Sequence, residues 1–237
     1  ASYLTSAGAT WNDKSGNGND ATKNGSPTVV TNAQNGHSVM RYSGANGDYH
    51  EWTDLNDIRT IFWVIKAEST NGGFLLGDDN QYHFHHNQGN PPNFWHGSHA
   101  SANVRNGNLS INGTRNISGT STAINSSLSN LSIVNLKTAG NVEASRFSRD
   151  RTQSGRNWKG DLGELIVFNT ALSDDDMVSV EGYLAHKWGL AGLLPSTHLY
   201  KSIIPMAVDS SPFSSDIASG TGTSLDLSNG VFATVST

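Results

Sequence analysis

The chain has 237 residues, a net charge of −5, no cysteine and only 15% charged residues. Such a length holds one large domain with a real core, or one domain with an appendage. The composition excludes the basic footprint that a phosphate backbone requires, a transmembrane helix and any disulfide, so neither nucleic acid nor a membrane span is expected.

Gly, Asn, Ser and Thr fill the space that charges leave, which suits turns and strand faces and points to an all-β fold. The first distinctive stretch is WNDKSGNGNDAT, Trp11–Thr22. Asp13, Asn17, Asn19 and Asp20 are hard oxygen donors spaced by Gly16 and Gly18. Calcium takes such oxygens and glycines let a loop wrap around it, although the distal Glu of an EF-hand is lacking. A hydrogen-bonded Asx-type turn needs the same residues, so both readings stand. If a cation binds, Asp161 is the expected remote partner.

HSVMRYS (His37–Ser43) alternates as a half-buried strand, whereas RTIFWVIKA (Arg59–Ala67) is apolar on both faces, like a central strand covered on both sides. GGFLLG and NQYHFHHN follow, parted by a turn at Gly77–Asn80. If the second run is a strand, His83 and His85 share one face and His86 takes the other with Tyr82 and Phe84. Together with Trp95, His96 and His99 these residues form the densest aromatic and imidazole cluster in the chain. Sugar rings stack on aromatic faces while His and Asn bond hydroxyls. Tyr82, His83, His85, His86, Trp95 and His96 are therefore the candidate ligand-binding residues. Two imidazoles on one face could also hold zinc or copper.

ASANVRNGNLSINGTRNIS reads as short strands joined at Asn106-Gly107 and Asn112-Gly113. NLSIVNLKT (Asn130–Thr138) is expected to pair with NVEASRFS across Ala139-Gly140. Arg146, Arg149, Arg151 and Arg156 could clamp an acidic glycan or pair with acids on a solvated loop. GDLGELIVFN (Gly160–Asn169) is the last strong strand. Its Asp161 and Glu164, three apart, should point to opposite faces, which is the wrong geometry for a glycosidase acid pair. No nucleophile elbow or Ser-His-Asp signature appears, so no catalytic residue is assigned and the protein is not expected to be an enzyme.

A helix is expected over about 173–188. Ser173 is its N-cap and Asp176 closes a capping box. Met177, Val180, Leu184 and Trp188 form one apolar stripe, and Gly189 stands where the helix should end. After Leu199 the pattern loosens, giving a linker over 202–222 and a strand-forming tail, or the start of a following module, over 223–237.

WNDKSGNGNDAT together with GDLGELIVFNTALSDDDMVSVEGYLAHKWGL and LPSTHLYK resembles the bacterial laminin-G-like branch of the concanavalin A-like lectin/glucanase superfamily. The resemblance covers roughly residues 1–201. It implies a two-sheet antiparallel jelly-roll sandwich with one flanking helix, secreted or at the cell surface, and often holding a structural calcium. The apolar strand that family members carry ahead of the opening region is not in this sequence, so a trimmed precursor is expected. The role it favours is a non-catalytic binding or adhesion module of a bacterial exported protein, with a glycan or cell-surface polymer as ligand. One alternative is a subunit of an extracellular filament or surface layer, joined to neighbouring copies by strand exchange through the C-terminal tail. Another is a polysaccharide hydrolase or lyase.

Overall fold

The computed structural model describes residues 10–68, 73–86 and 92–205, and the backbone of 230–234. The linker expected over 202–222 and the first part of the tail, 223–229, fall outside the described residues except for 202–205.

The fold is mostly β and centres on one ten-stranded antiparallel sheet. Its strands are β1 (Thr10–Trp11), β2 (Ala21–Asn24), β3 (Thr28–Gln34), β4 (His37–Ser43), β5 (Tyr49–Ala67), β6 (Asn108–Ile111), β7 (Thr114–Ile117), β8 (Ser132–Phe147), β9 (Lys159–Phe168) and β10 (Gly230–Thr234). The main path runs β3-β4-β9-β5-β8-β6-β7, with β1 and β2 attached beside β5 and β10 beside β9. Three α-helices, α1 (Ala102–Arg105), α2 (Ile124–Ser127) and α3 (Asp174–Lys187), and a short 3-10 helix at Ala191–Leu193 accompany them among the described residues.

Two long strands dominate. The second half of β5 pairs with β9 and with the first half of β8, as Trp63↔Leu165 and Trp63↔Val134. The first half of β5 pairs instead with β2 and with the second half of β8, as Glu51↔Thr22 and Glu51↔Arg146. Register shifts lie between these halves, and such bulges bend a strand. One apolar cluster joins Trp11 and Ala21 to Trp63, Val134, Phe147, Trp158 and Leu165. This corrects the hairpin expected across Ala139-Gly140. Ser132–Phe147 is one continuous strand, and its two halves pair with β5 rather than with each other. Only a local bulge separates Lys137 and Val142, whose partners Thr60 and Ile58 are two apart.

The expectation for β5 holds: Ile61, Trp63 and Ile65 face the first cluster, while Phe62 and Val64 face a second one. Helix α3 covers that second face with Met177, Val180, Leu184 and Trp188. Its capping box forms as read, with Ser173 Oγ accepting from Asp176 N at 3.1 Å and donating to the Asp176 carboxylate at 2.6 Å. Among the short elements, Asn112 and Gly113 both take positive φ, as a type I′ hairpin between β6 and β7 demands. Asn106-Gly107 instead follows the single-turn helix α1, capped by Ser101.

The strand β9 carries a second correction. Leu162, Leu165 and Val167 all reach the first cluster. The odd spacing arises because the β5–β9 register shifts between Val64 and Ile65, leaving Gly163 as the bulged residue. A Cβ at Gly163 would overlap the indole of Trp188, so only glycine admits the helix there. The bulge flips parity along β9. Asp161 lines a cleft with Val39, Leu131 and Leu190, residues of the helix-side cluster, and Glu164 meets Trp188 on that same side. The two carboxylates therefore share a face, contrary to the alternation rule.

Candidate functional site

Residues 81–86 do not form a strand. Asp78 takes the N–H groups of Asn80 (2.7 Å) and Gln81 (3.0 Å) on one carboxylate oxygen, and His85 N–H turns back to Tyr82 O at 3.1 Å. These donors would otherwise feed a ladder, so the expected strand face shared by His83 and His85 is replaced by a turn. The segment Pro92–Ser101 packs beside it, with His96 N–H donating to His85 O at 2.7 Å and Ser101 N–H to His83 O at 3.0 Å.

The candidate residues divide by depth. Trp95 is only 1% exposed. Its ring meets Phe84 and Phe94 edge-on, each at 6.0 Å, and lies so close on Gly119 that a Cβ would overlap it. No ring face is offered to a ligand, which corrects its placing as a stacking platform. His86 is likewise buried, perpendicular to Phe74 at 4.8 Å, with neither ring nitrogen hydrogen-bonded. Burial, and then the nearby His85, push its pKa down to about 3. His83 sits to one side, its Nε2 3.9 Å from Glu143.

Tyr82, His96 and His99 come together at the surface around the largely buried His85. The His85 ring lies 5.4 Å from both His96 and His99, which are 4.3 Å from each other. His85 Nδ1 donates to His86 O at 2.8 Å, leaving Nε2 as an acceptor. His96 Nδ1 accepts the N–H groups of Ser98 (3.0 Å) and His99 (3.1 Å), which puts the proton on Nε2 as a donor. Burial lowers the pKa of both rings, so they stay neutral near pH 7. Tyr82 is 41% exposed, edge-on to His85, with the Arg151 guanidinium 4.6 Å from its ring centre.

Arg151 is the member of this patch that sequence reasoning placed elsewhere. Its guanidinium and that of Arg156 bracket the fully buried Asp150, at 3.1 and 2.5 Å. Arg146 pairs with Asp79 and with Glu51, and Arg149 stacks over Tyr49 at 4.6 Å. No spacing rule in the sequence links Arg151 to Tyr82, since a turn brings them together. Asp54 and Asp78 were also unforeseen as neighbours. Ser145 draws Asp54 down, but burial and the hydrogen-bonded Asp78 outweigh it and raise its pKa.

The oxygen-rich loop is closed by its own donors. Asp13 accepts from Ser15 N–H (2.8 Å), Ser15 Oγ–H (2.8 Å) and Asn19 N–H (2.9 Å), while Asp20 accepts from Asp13 N–H at 2.7 Å. Asp161 gives both oxygens to Arg41, at 2.7 and 2.9 Å. Among the described residues, no three His, Asp or Glu side chains are arranged to hold a metal ion. Glu164, the other carboxylate of β9, accepts from Lys187 Nζ at 3.1 Å and Trp188 Nε1 at 2.7 Å. Both β9 acids are thus committed to cations. Comparison with known protein families, with curated proteins and with solved structures yields no match.

Proposed function

We propose that this chain is a non-catalytic binding or adhesion module of an exported or cell-surface protein, with a glycan as ligand, built as a laminin-G-like jelly-roll sandwich. The observation that carries this reading is the patch of Tyr82, His85, His96 and His99. It sets an exposed aromatic ring beside a largely buried imidazole acceptor, His85, and a half-buried imidazole donor, His96. A sugar offers the matching surfaces, an apolar C–H face and hydroxyls that both donate and accept. Fixed tautomers favour one hydroxyl pattern over another, because a mismatched pair leaves a polar group unbonded. A glycan array probed with the intact chain tests this. Tyr82→Ala should weaken any positive by about 1–3 kcal/mol, by analogy with bases stacked on aromatics. An array without binding, or a Tyr82→Ala protein with native affinity, overturns the reading.

A structural calcium in the Asp13–Asp20 loop is a separate proposal. The ion would have to displace N–H donors from Asp13 and recruit Asp20, Asn17, Asn19 and loop carbonyls. A ligand that binds only the folded state raises its melting temperature. The melting temperature should therefore rise with calcium and fall back with chelator. An unchanged value leaves the loop as a hydrogen-bonded turn.

A further inference from the structure

A cleft of about 500 Å³ opens on the α3 side of the sheet and shares no residue with the Tyr82 patch. Two breaks in regular structure build it. Val30 pairs with Val39 and Gln34 with His37, so a four-residue step on β3 answers a two-residue step on β4. Asn32 takes a φ of 52° inside this bulge, and a bulge bends its strand. Ala33 and Gln34 form one lip of the cleft there. On the other side, α3 stops and Gly189, with a φ of 66°, turns the chain. Leu190 and Leu193 then supply the facing wall. Leu190 is buried, whereas Leu193 is 49% exposed although it lines the cleft.

The floor carries a row of charges. Asp161 on β9 stands opposite Arg41 on β4 and opposite Lys66 on β5. Directly opposed residues of neighbouring strands share a face, so all three line the cleft. Arg41 donates from Nε and Nη2 to the two carboxylate oxygens of Asp161, at 2.7 and 2.9 Å. The next acid along β5, Glu68, lies 3.9 Å from Lys159. Lys66 is half-buried, and among the described residues its ammonium has no hydrogen bond and no ion pair. Three cations thus meet two carboxylates at this end of the sheet, and the positive charge left over is that of Lys66. Val39, Leu131 and Leu190 form apolar wall beside it. Such surroundings strengthen the pull of an ammonium on an anion relative to open water.

We propose that this cleft is a binding site for a small organic carboxylate with an apolar body. Its volume lies within the range of roughly 300–1,000 Å³ usual for small-molecule sites. Charge complementarity sets the head group. One uncompensated ammonium matches a monoanion, while a dianion would bring a second charge among apolar walls without a partner. The apolar wall sets the rest of the ligand, because a short hydrophilic acid would leave Leu190 and Leu193 facing water. The site is independent of the glycan reading and shares no residue with it.

The test titrates the full chain with three probes, decanoate, hexanoate and decylammonium, by calorimetry and by amide chemical shifts. Decanoate should bind saturably at one site and shift the amides of Gly189, Gly192 and Leu193. Hexanoate should bind at least tenfold more weakly, since four buried methylenes are worth more than that factor. Decylammonium, with the same body and the opposite charge, should not bind. Lys66→Gln should weaken decanoate at least tenfold with an unchanged circular dichroism spectrum. Should that variant fold poorly, Leu193→Asp, at an exposed position, sets a negative charge on the wall and should weaken decanoate as much. Tyr82→Ala should bind decanoate like the native chain, which separates this site from the glycan patch. The proposal is overturned by the absence of decanoate binding, by native affinity in Lys66→Gln or Leu193→Asp, or by decylammonium binding as tightly as decanoate. Loss of decanoate binding in Tyr82→Ala would likewise move the site out of the cleft and overturn it.

Discussion

His86 and His50 are neutral by position. Burial, followed by the charge of Lys23, lowers His50 to about 3, and burial followed by His85 brings His86 to about 3. Both values lie below that of an unfolded histidine, so the unfolded chain binds protons that the folded one refuses. The stability contributed is complete above about pH 6.5 and is lost as pH falls towards 3, by about 1.4 kcal/mol per pH unit for each ring. Between pH 6.5 and 5, above the ordinary carboxylate range, melting temperature should therefore fall steeply, and His86→Phe should flatten the fall. An unaltered slope in that variant would place its titration elsewhere. The same depth ordering separates Trp95 from Tyr82. Trp95→Ala empties a packed site and should cost about 3–5 kcal/mol, read by denaturant melts. Tyr82→Ala should leave stability within about 1 kcal/mol while reducing the glycan binding proposed for this patch. Residue types in NQYHFHHN and NFWHGSH were sufficient to pick out the cluster. Their depth was not, because it depends on Asp78 bending the backbone and on Gly119 receiving an indole.

At the scale of elements, what could be read was set by how local the physics is. Capping and an apolar stripe are properties of neighbouring residues, and α3 begins and packs as its sequence dictates. The apolar run of β5 likewise announces two covered faces. The bulge at Gly163 could not be read, since it answers to Trp188 on another element. It reverses the parity of Asp161 and Glu164 and gives Glu164 its role beneath α3. Burial alone would lower the pKa of Lys187, but the Glu164 carboxylate and Tyr183 hydroxyl outweigh it and raise it. Glu164→Ala would leave that ammonium buried without its counter-ion and should cost about 3–5 kcal/mol. The pair replaced together, Glu164→Leu with Lys187→Met, should lose much less, since it strands no charge. A double-mutant cycle by chemical denaturation checks both. Equal losses in the single and double variants would mean that packing rather than charge dominates there.

At the scale of the molecule, β5 and β8 run from one half of the sheet into the other without interruption. The consequence is a single melting unit. Neither half can come apart while leaving the other whole, because each would keep only a portion of the same two backbones. Amides of β2, near Glu51, and of β9, near Trp63, should exchange with solvent deuterium through one shared opening. Their protection factors should converge at low denaturant on a common free energy. Two well-separated plateaus would mean that the bends near Ile58 and Val142 act as joints, with each half opening by itself.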